Sequence, residues 1–180
     1  MKQKSMVFIF LSMLFLIAGC SKNKTVESKL PLPEDIPEFV KESDIEKIDW
    51  DKKAVTFNGN IIGNENKSGV IGADMPSINI NQKWMWHLWA NEYPIGAKLT
   101  VAGFHRETRT VHQIITTGWT IDLGGKNNGA DAHAPSSVNI PEAGEWAILL
   151  YTDGKLFDTL IYEINKSKVW IIILVSTFGF

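Results

Sequence analysis

A single cysteine in 180 residues excludes an internal disulfide framework and a cysteine-based zinc site. Basic side chains are also scarce relative to acidic ones, 18 against 20, and the formal charge is −2. Affinity for a phosphate backbone comes largely from counterions displaced by clustered Lys and Arg, so nucleic acid is not an expected partner. Phosphate-binding loops, dinucleotide fingerprints and paired-carboxylate arrangements are absent, so no cofactor and no enzymatic activity are expected. The length suits one domain with linker to spare and is too short for a multidomain enzyme.

What is present begins with that cysteine. Lys2 and Lys4 precede an apolar run from Met6 to Ala18, followed by Gly19 and Cys20. This is the layout of a secretory signal: a positive start, an apolar segment shorter than the ~20 residues of a membrane span, and small residues at the cleavage site. Ile17-Ala18-Gly19-Cys20 resembles a bacterial lipobox, which places cleavage after residue 19 and a diacylglyceryl group on the Cys20 thiol. Each buried methylene is worth ~0.8 kcal/mol, so two acyl chains on one glyceride anchor a protein stably where one does not. The expected location is the extracytoplasmic face of the cell membrane, with the membrane itself a partner through the lipid on Cys20. Loss of residues 1–19 removes two lysines and no acid, shifting the charge from −2 to −4. A mildly acidic body gains nothing from an anionic bilayer, so the lipid has to supply the attachment.

Residues 20–53 read as the lipidated N-terminus and a charged linker. Between Ser21 and Lys53 lie nine acidic and seven basic residues together with Pro31, Pro33 and Pro37, a composition that buries little apolar surface. Asp35 is a plausible helix cap before Pro37.

Residues 54–166 carry strand and turn signals. Ala54 to Phe57 ends in Asn58-Gly59-Asn60 before Ile61-Ile62, which predicts a hairpin. Gly63 to Met75 reads as irregular. Strands are expected over Lys83–Ala90, Lys98–His105, Thr110–Ile121, Trp146–Tyr151 and Leu156–Ile164, the last two joined by Thr152-Asp153-Gly154-Lys155. Within Thr110–Ile121, Val111, Ile115, Trp119 and Ile121 are expected to share a face. About seven short strands without a convincing amphipathic helix predict an all-β fold, an antiparallel β-sandwich. Pro141-Glu142-Ala143-Gly144-Glu145-Trp146, followed by a core strand and a hairpin, resembles the closing strands of extracellular immunoglobulin-like domains.

Two segments are candidates for recognition. Trp84-Met85-Trp86-His87-Leu88-Trp89 holds three of the seven tryptophans. As a strand it directs Trp84, Trp86 and Leu88 to one side and Met85, His87 and Trp89 to the other. Trp84, Trp86 and Trp89 are then either core residues or an exposed stacking platform for sugar rings or a protein. The second segment, Gly124 to Ser137, is long, polar and glycine-rich, as functional loops often are. Asn128, Asp131 and His133 join the tryptophans as a candidate binding surface, with an envelope protein or wall polymer as partner. His87, Asp131 and His133 could also offer one oxygen and two imidazole nitrogens to a divalent metal, the alternative reading of function. Ser136 or Ser137 with His133 suggests a nucleophile and base, but no Gly-x-Ser-x-Gly elbow accompanies them. His105 and His112, near Arg106, Glu107 and Arg109, read as a solvated charged turn.

The lipobox, Met85-Trp86-His87-Leu88-Trp89, Asn128-Gly129-Ala130-Asp131-Ala132-His133-Ala134-Pro135-Ser136, Gly144-x-Trp146 and Lys155-Leu156-Phe157 together are similar to small uncharacterised lipoproteins of Gram-positive spore-forming bacteria that carry a domain of unknown function. The similarity covers about Met75 to Ile164. It implies a β-rich envelope lipoprotein and no assigned catalytic residues. Residues 167–180 depart from that pattern. They contain the apolar run Val169–Val175, too short to cross a bilayer and expected as an added strand, with a monotopic membrane contact as the alternative.

Overall fold

The structure, a computed structural model, describes residues 30–73, 78–90, 93 and 96–165. Cys20, the signal segment and residues 167–180 lie outside the described residues.

Among the described residues, ten strands form two antiparallel sheets packed as a β-sandwich. The first sheet has the order β1-β2-β3-β4-β8, from Val55–Phe57, Ile61–Asn64, Ser68–Ile71, Gln82–Leu88 and Ala132–Val138. The second has the order β10-β9-β5-β6, from Lys155–Ile164, Gly144–Thr152, Lys98–His105 and Thr110–His112, with β7 (Thr120–Asp122) also paired to β5. Turn chemistry sets the registers. Asn58 and Gly59 at φ 44° and 89°, and Asp153 and Gly154 at φ 49° and 76°, supply the consecutive positive φ values of tight hairpins.

Of the stretch expected to be irregular, Gly63–Met75, the described part up to Ala73 holds the end of β2 and all of β3, because its glycines serve close approach; residues 74 and 75 lie outside the described residues. Gly63 and Gly69 are register partners, and a Cβ on Gly63 would lie 2.2 Å from the Ser68 carbonyl oxygen. Thr110–Ile121 is not one strand. It breaks between β6 and β7, so Val111 and Trp119 join one cluster while Ile115 and Ile121 join the other.

Period-two alternation separates these clusters. Leu99, Val101, Trp146, Ile148, Leu150, Leu160 and Tyr162 face Val70, Trp84, Trp86 and Leu88 across the sandwich and make the central core. The other face of the second sheet, with Ala102, Phe104, Ala147, Leu149, Tyr151 and Ile161, is also apolar and needs a cover.

Residues 30–53 provide it, which corrects their reading as a charged linker. Leu30, Val40 and Ile45 are buried there, with Leu32, Ile36, Phe39, Ile48 and Trp50 packed alongside. The segment includes one helical turn, α1 (Glu42–Ile45). Specific bonds hold it in place. Trp119 Nε1 donates to Asp35 at 3.1 Å, so Asp35 anchors an indole instead of capping the helix. The Tyr151 hydroxyl donates to Asp44 at 3.1 Å, and Trp50 lies against Phe104 and the Arg106 guanidinium. The lysines and most of the acids are exposed on this strap, whereas Glu42 and Asp44 are half-buried and the apolar residues pack on the sheet.

Polar contacts tie the sandwich together. Asp158 is 5% exposed and faces the first sheet next to a bulge in β10. Its carboxylate accepts from Asn64 Nδ2 at 3.0 Å and from the Ser68 hydroxyl at 2.6 Å, and it pairs with Lys67 at 3.1 Å. The Tyr162 hydroxyl donates to the Ile62 carbonyl at 2.9 Å.

Candidate functional site

The tryptophan strand splits its two faces as expected, but not into a platform. Trp84 and Trp86 are buried in the central core, their rings 5.4 Å apart, and Trp86 Nε1 donates to the Ser136 hydroxyl at 2.8 Å. They belong to the face directed at the second sheet, which removes them from the candidate binding surface. Trp89 lies on the opposite face and is half-buried. Its ring sits 5.6 Å from Phe57 and 6.1 Å from His87, the latter nearly parallel at 28°.

The segment expected as a long loop is shorter and more ordered. Strand β8 begins at Ala132, and residues 124–131 form a small hairpin of their own. Gly124 bridges His133, Asn127 bridges Ala130, and Asn128 and Gly129 take φ 48° and 80° at the tip. This hairpin folds over His87. The Asn128 amide donates to His87 Nε2 at 3.1 Å, while His87 Nδ1 donates to the Met85 carbonyl at 3.1 Å. His87 is fully buried.

His133 is the register partner of His87 on the neighbouring strand, so both rings occupy one face of the sheet. Its Nδ1 donates to the Gly125 carbonyl at 2.7 Å. Asp131, two residues earlier, accepts from the Ala90 amide at 3.1 Å, and Lys126 stands 3.9 Å from its other oxygen. The structure therefore gathers His87, Trp89, Asn128, Asp131 and His133 at one end of the first sheet.

It does not make them a metal centre. Among the described residues no group of three or more His, Cys, Asp or Glu side chains is arranged to hold a metal ion. Asp131 is committed to a backbone amide and His87 Nε2 to Asn128. A nucleophile and base are not assembled either: Ser136 points into the core toward Trp86, and Ser137, though on the same face of β8 as His133, lies four residues along the strand, about 13 Å away at ~3.3 Å per residue.

Two groups were missed from sequence. One is the Asp158 clamp. The other surrounds His105, expected on a solvated turn but only 2% exposed. Its Nε2 lies 3.0 Å from both the Ala143 carbonyl and Glu107, and its Nδ1 lies 2.8 Å from the Thr108 hydroxyl. The His105 and His112 rings lie 4.8 and 5.3 Å from Trp146. The signal was Gly144: at φ 133° it brings the backbone so close that a Cβ would lie 2.5 Å from His105 Nε2. Beside it, Lys53 and Arg106 both pair with Glu145 and hold its carboxyl below the usual range.

Burial lowers the proton affinity of His87, partly offset by the Met85 carbonyl, and the adjacent His133 adds to the lowering. Burial likewise dominates a lowering at His112. Unfolding restores the ordinary value of 6.5, so below that pH the unfolded chain binds more protons than the folded one. Stability from these two groups is therefore complete at higher pH and is lost on acidification. The melting temperature is expected to fall between about pH 7.5 and about pH 5.5, and His87→Gln should flatten that slope. An identical slope in the variant would remove His87 from the account.

With this geometry in view, comparison with known proteins adds a family. The profile described as Domain of unknown function (DUF4871) matches residues 39–162. The chain belongs to that family. The DUF4871 match begins at Phe39, inside the strap, and so reaches well before the Met75 boundary suggested by the short strings. A crystal structure of a candidate lipoprotein from Bacillus anthracis shares the fold at 19% sequence identity and a TM-score of 0.57. The alignment covers 72% of this chain and 96% of that one. No curated protein matches. Among the described residues of this DUF4871 protein, no helix is long and apolar enough to cross a membrane.

Proposed function

We propose that the chain is a lipid-anchored envelope protein on the extracytoplasmic face of the cell membrane, and that its domain is a non-catalytic interaction module. The signal peptide is residues 1–19, Cys20 carries the lipid, and residues 20–29 tether a domain that starts with the strap. The fold shared with the candidate lipoprotein supports the anchor. The observation that carries the binding reading is the ordered 124–131 hairpin. It sets Asn128, Asp131 and His133 beside the half-buried Trp89 ring, on the face of the first sheet opposite the strap. An aromatic face bordered by amide, carboxylate and imidazole suits the apolar faces and hydroxyls of a sugar ring, so the partner is a wall polymer.

Two measurements test these statements separately. Cys20→Ser should abolish incorporation of radiolabelled palmitate and release the protein from washed membranes; persistent labelling would refute the anchor. Purified wall sacculi should sediment the wild type, and Trp89→Ala should weaken that binding about tenfold, the loss of one aromatic contact. Equal sedimentation of the variant, or none of the wild type, would refute the surface or the partner.

A further inference from the structure

The hydrogen bonds of His87 fit one protonation state. Its Nδ1 faces the Met85 carbonyl at 3.1 Å, and a carbonyl only accepts, so Nδ1 carries the proton. In the neutral ring Nε2 is then a bare acceptor, and the Asn128 amide donates to it at 3.1 Å. His133 differs, because the Gly125 carbonyl at 2.7 Å satisfies its Nδ1–H whether or not the ring is charged. A second proton on His87 would set N–H against N–H at the hairpin tip. Turning the Asn128 amide end for end would offer its oxygen, yet the charge would stay fully buried.

The surroundings give such a charge no free counter-ion. Strand β3 places Gly69 opposite His87, β8 places His133 there, and the 124–131 hairpin brings Lys126 and Asp131. Lys126, and His133 when protonated, repel a positive ring, while the Asp131 carboxylate is taken up by the Ala90 amide and Lys126. The hairpin over the ring is lightly held. Among residues 124–130 only Ala130 is buried. Beyond that it rests on the Gly124–His133 and Asn127–Ala130 backbone pairs and on the side-chain bonds of His133 and Asn128. A segment with so little apolar burial opens at much lower cost than the whole domain.

We propose that protonation of His87 opens the 124–131 hairpin, so that the surface of Trp89, Asn128, Asp131 and His133 is complete at neutral pH and taken apart on acidification. The charged ring reaches water only when the hairpin lifts, and lifting carries Asn128 away from Trp89. By linkage, each pH unit below the ordinary value of 6.5 favours the open form by up to about tenfold, until the closed form titrates as well. That the partner released is a wall polymer rests on the function proposed above, whereas the movement of the hairpin does not.

Hydrogen exchange read by mass spectrometry on the full chain, corrected for the intrinsic effect of pH on exchange, tests the movement. Between about pH 7 and about pH 5.5 the protection of residues 124–131 should fall about threefold or more, while β5 and β9 keep theirs. Unchanged protection overturns the proposal, and so does an equal fall in every strand, which would be global unfolding. Two variants fix the cause. His87→Gln cannot take the charge and should show no fall. Asn128→Asp keeps the turn and offers an imidazolium a carboxylate, so its protection should rise on acidification. A fall like that of the wild type in either variant overturns the proposal. Purified wall sacculi should sediment about threefold less wild type at about pH 5.5 than at about pH 7, with no such difference for His87→Gln. Equal sedimentation of the wild type at both values overturns the regulation of the surface. Sacculi that bind at neither value, with exchange as expected, refute the wall-polymer reading and leave the hairpin movement established.

Discussion

Asp158→Ala is expected to destabilise the domain by about 2–4 kcal/mol, because it leaves the buried donors of Asn64 and Ser68 without their acceptor. The carboxylate is the common acceptor for Asn64, Ser68 and Lys67, which belong to the opposite sheet and its hairpin. Deleting it strands the buried Asn64 and Ser68 donors, each costing about 1–3 kcal/mol when unsatisfied, whereas the Lys67 ammonium, on a 45% exposed side chain, turns to solvent. Asp158→Asn should recover more than half of the loss, because the amide oxygen still accepts from Ser68 or Asn64. Urea unfolding followed by tryptophan fluorescence gives both values. An alanine variant within about 1 kcal/mol of wild type would show the clamp to be a surface pair, whose usual worth is that small.

Trp146→Ala is the second large effect, at about 3–5 kcal/mol for emptying a buried tryptophan site. This ring belongs to the central core and donates from Nε1 to the Glu142 carbonyl at 3.1 Å. It also packs against His105 and His112, so its removal should do more than open a cavity. With the indole gone, water reaches both imidazoles and the burial that lowers the proton affinity of His112 is relieved. The His112 titration, followed by NMR, is expected to move up toward 6.5 in the variant. Trp146→Phe should keep most of the stability and lose only the Nε1 bond. A destabilised variant with an unmoved His112 titration would mean that other groups bury that ring.

The parts of the fold legible in the sequence are those written in local turn chemistry. Asn58-Gly59 and Asp153-Gly154 announced two hairpins, and the alternation of Lys98–His105 gave β5 its two faces. Strand β8 was hidden because its inward residues Ala132, Ala134 and Ser136 are small or polar, and because Pro135 sits among them. An edge position in the sheet tolerates that proline. The strap was hidden for a different reason. Leu30, Leu32, Ile36, Phe39, Val40, Ile45, Ile48 and Trp50 follow no period because they come from bends and one helical turn laid across a sheet, and charges fill the intervals. At the candidate site the residue types were readable, and Asp131 and His133 did arrive beside His87. What could not be read was the partner of each atom: Asn128 on His87, Gly125 on His133 and the Ala90 amide on Asp131.

The strap also dictates an order of assembly. Its contacts span long stretches of chain: Asp35 to Trp119, Asp44 to Tyr151, and Ala54 to Ile161. A chain emerging from its N-terminus delivers these residues first, yet the surface they cover is completed only by β10, the last strand. Until then Leu30, Val40 and Ile45 have nowhere to bury, and the loop to be closed is among the longest in the molecule. The domain therefore passes through a late state in which the sandwich exists and the outer face of its second sheet is bare. Its aggregation during production should follow the lifetime of that state more closely than the stability of the finished fold.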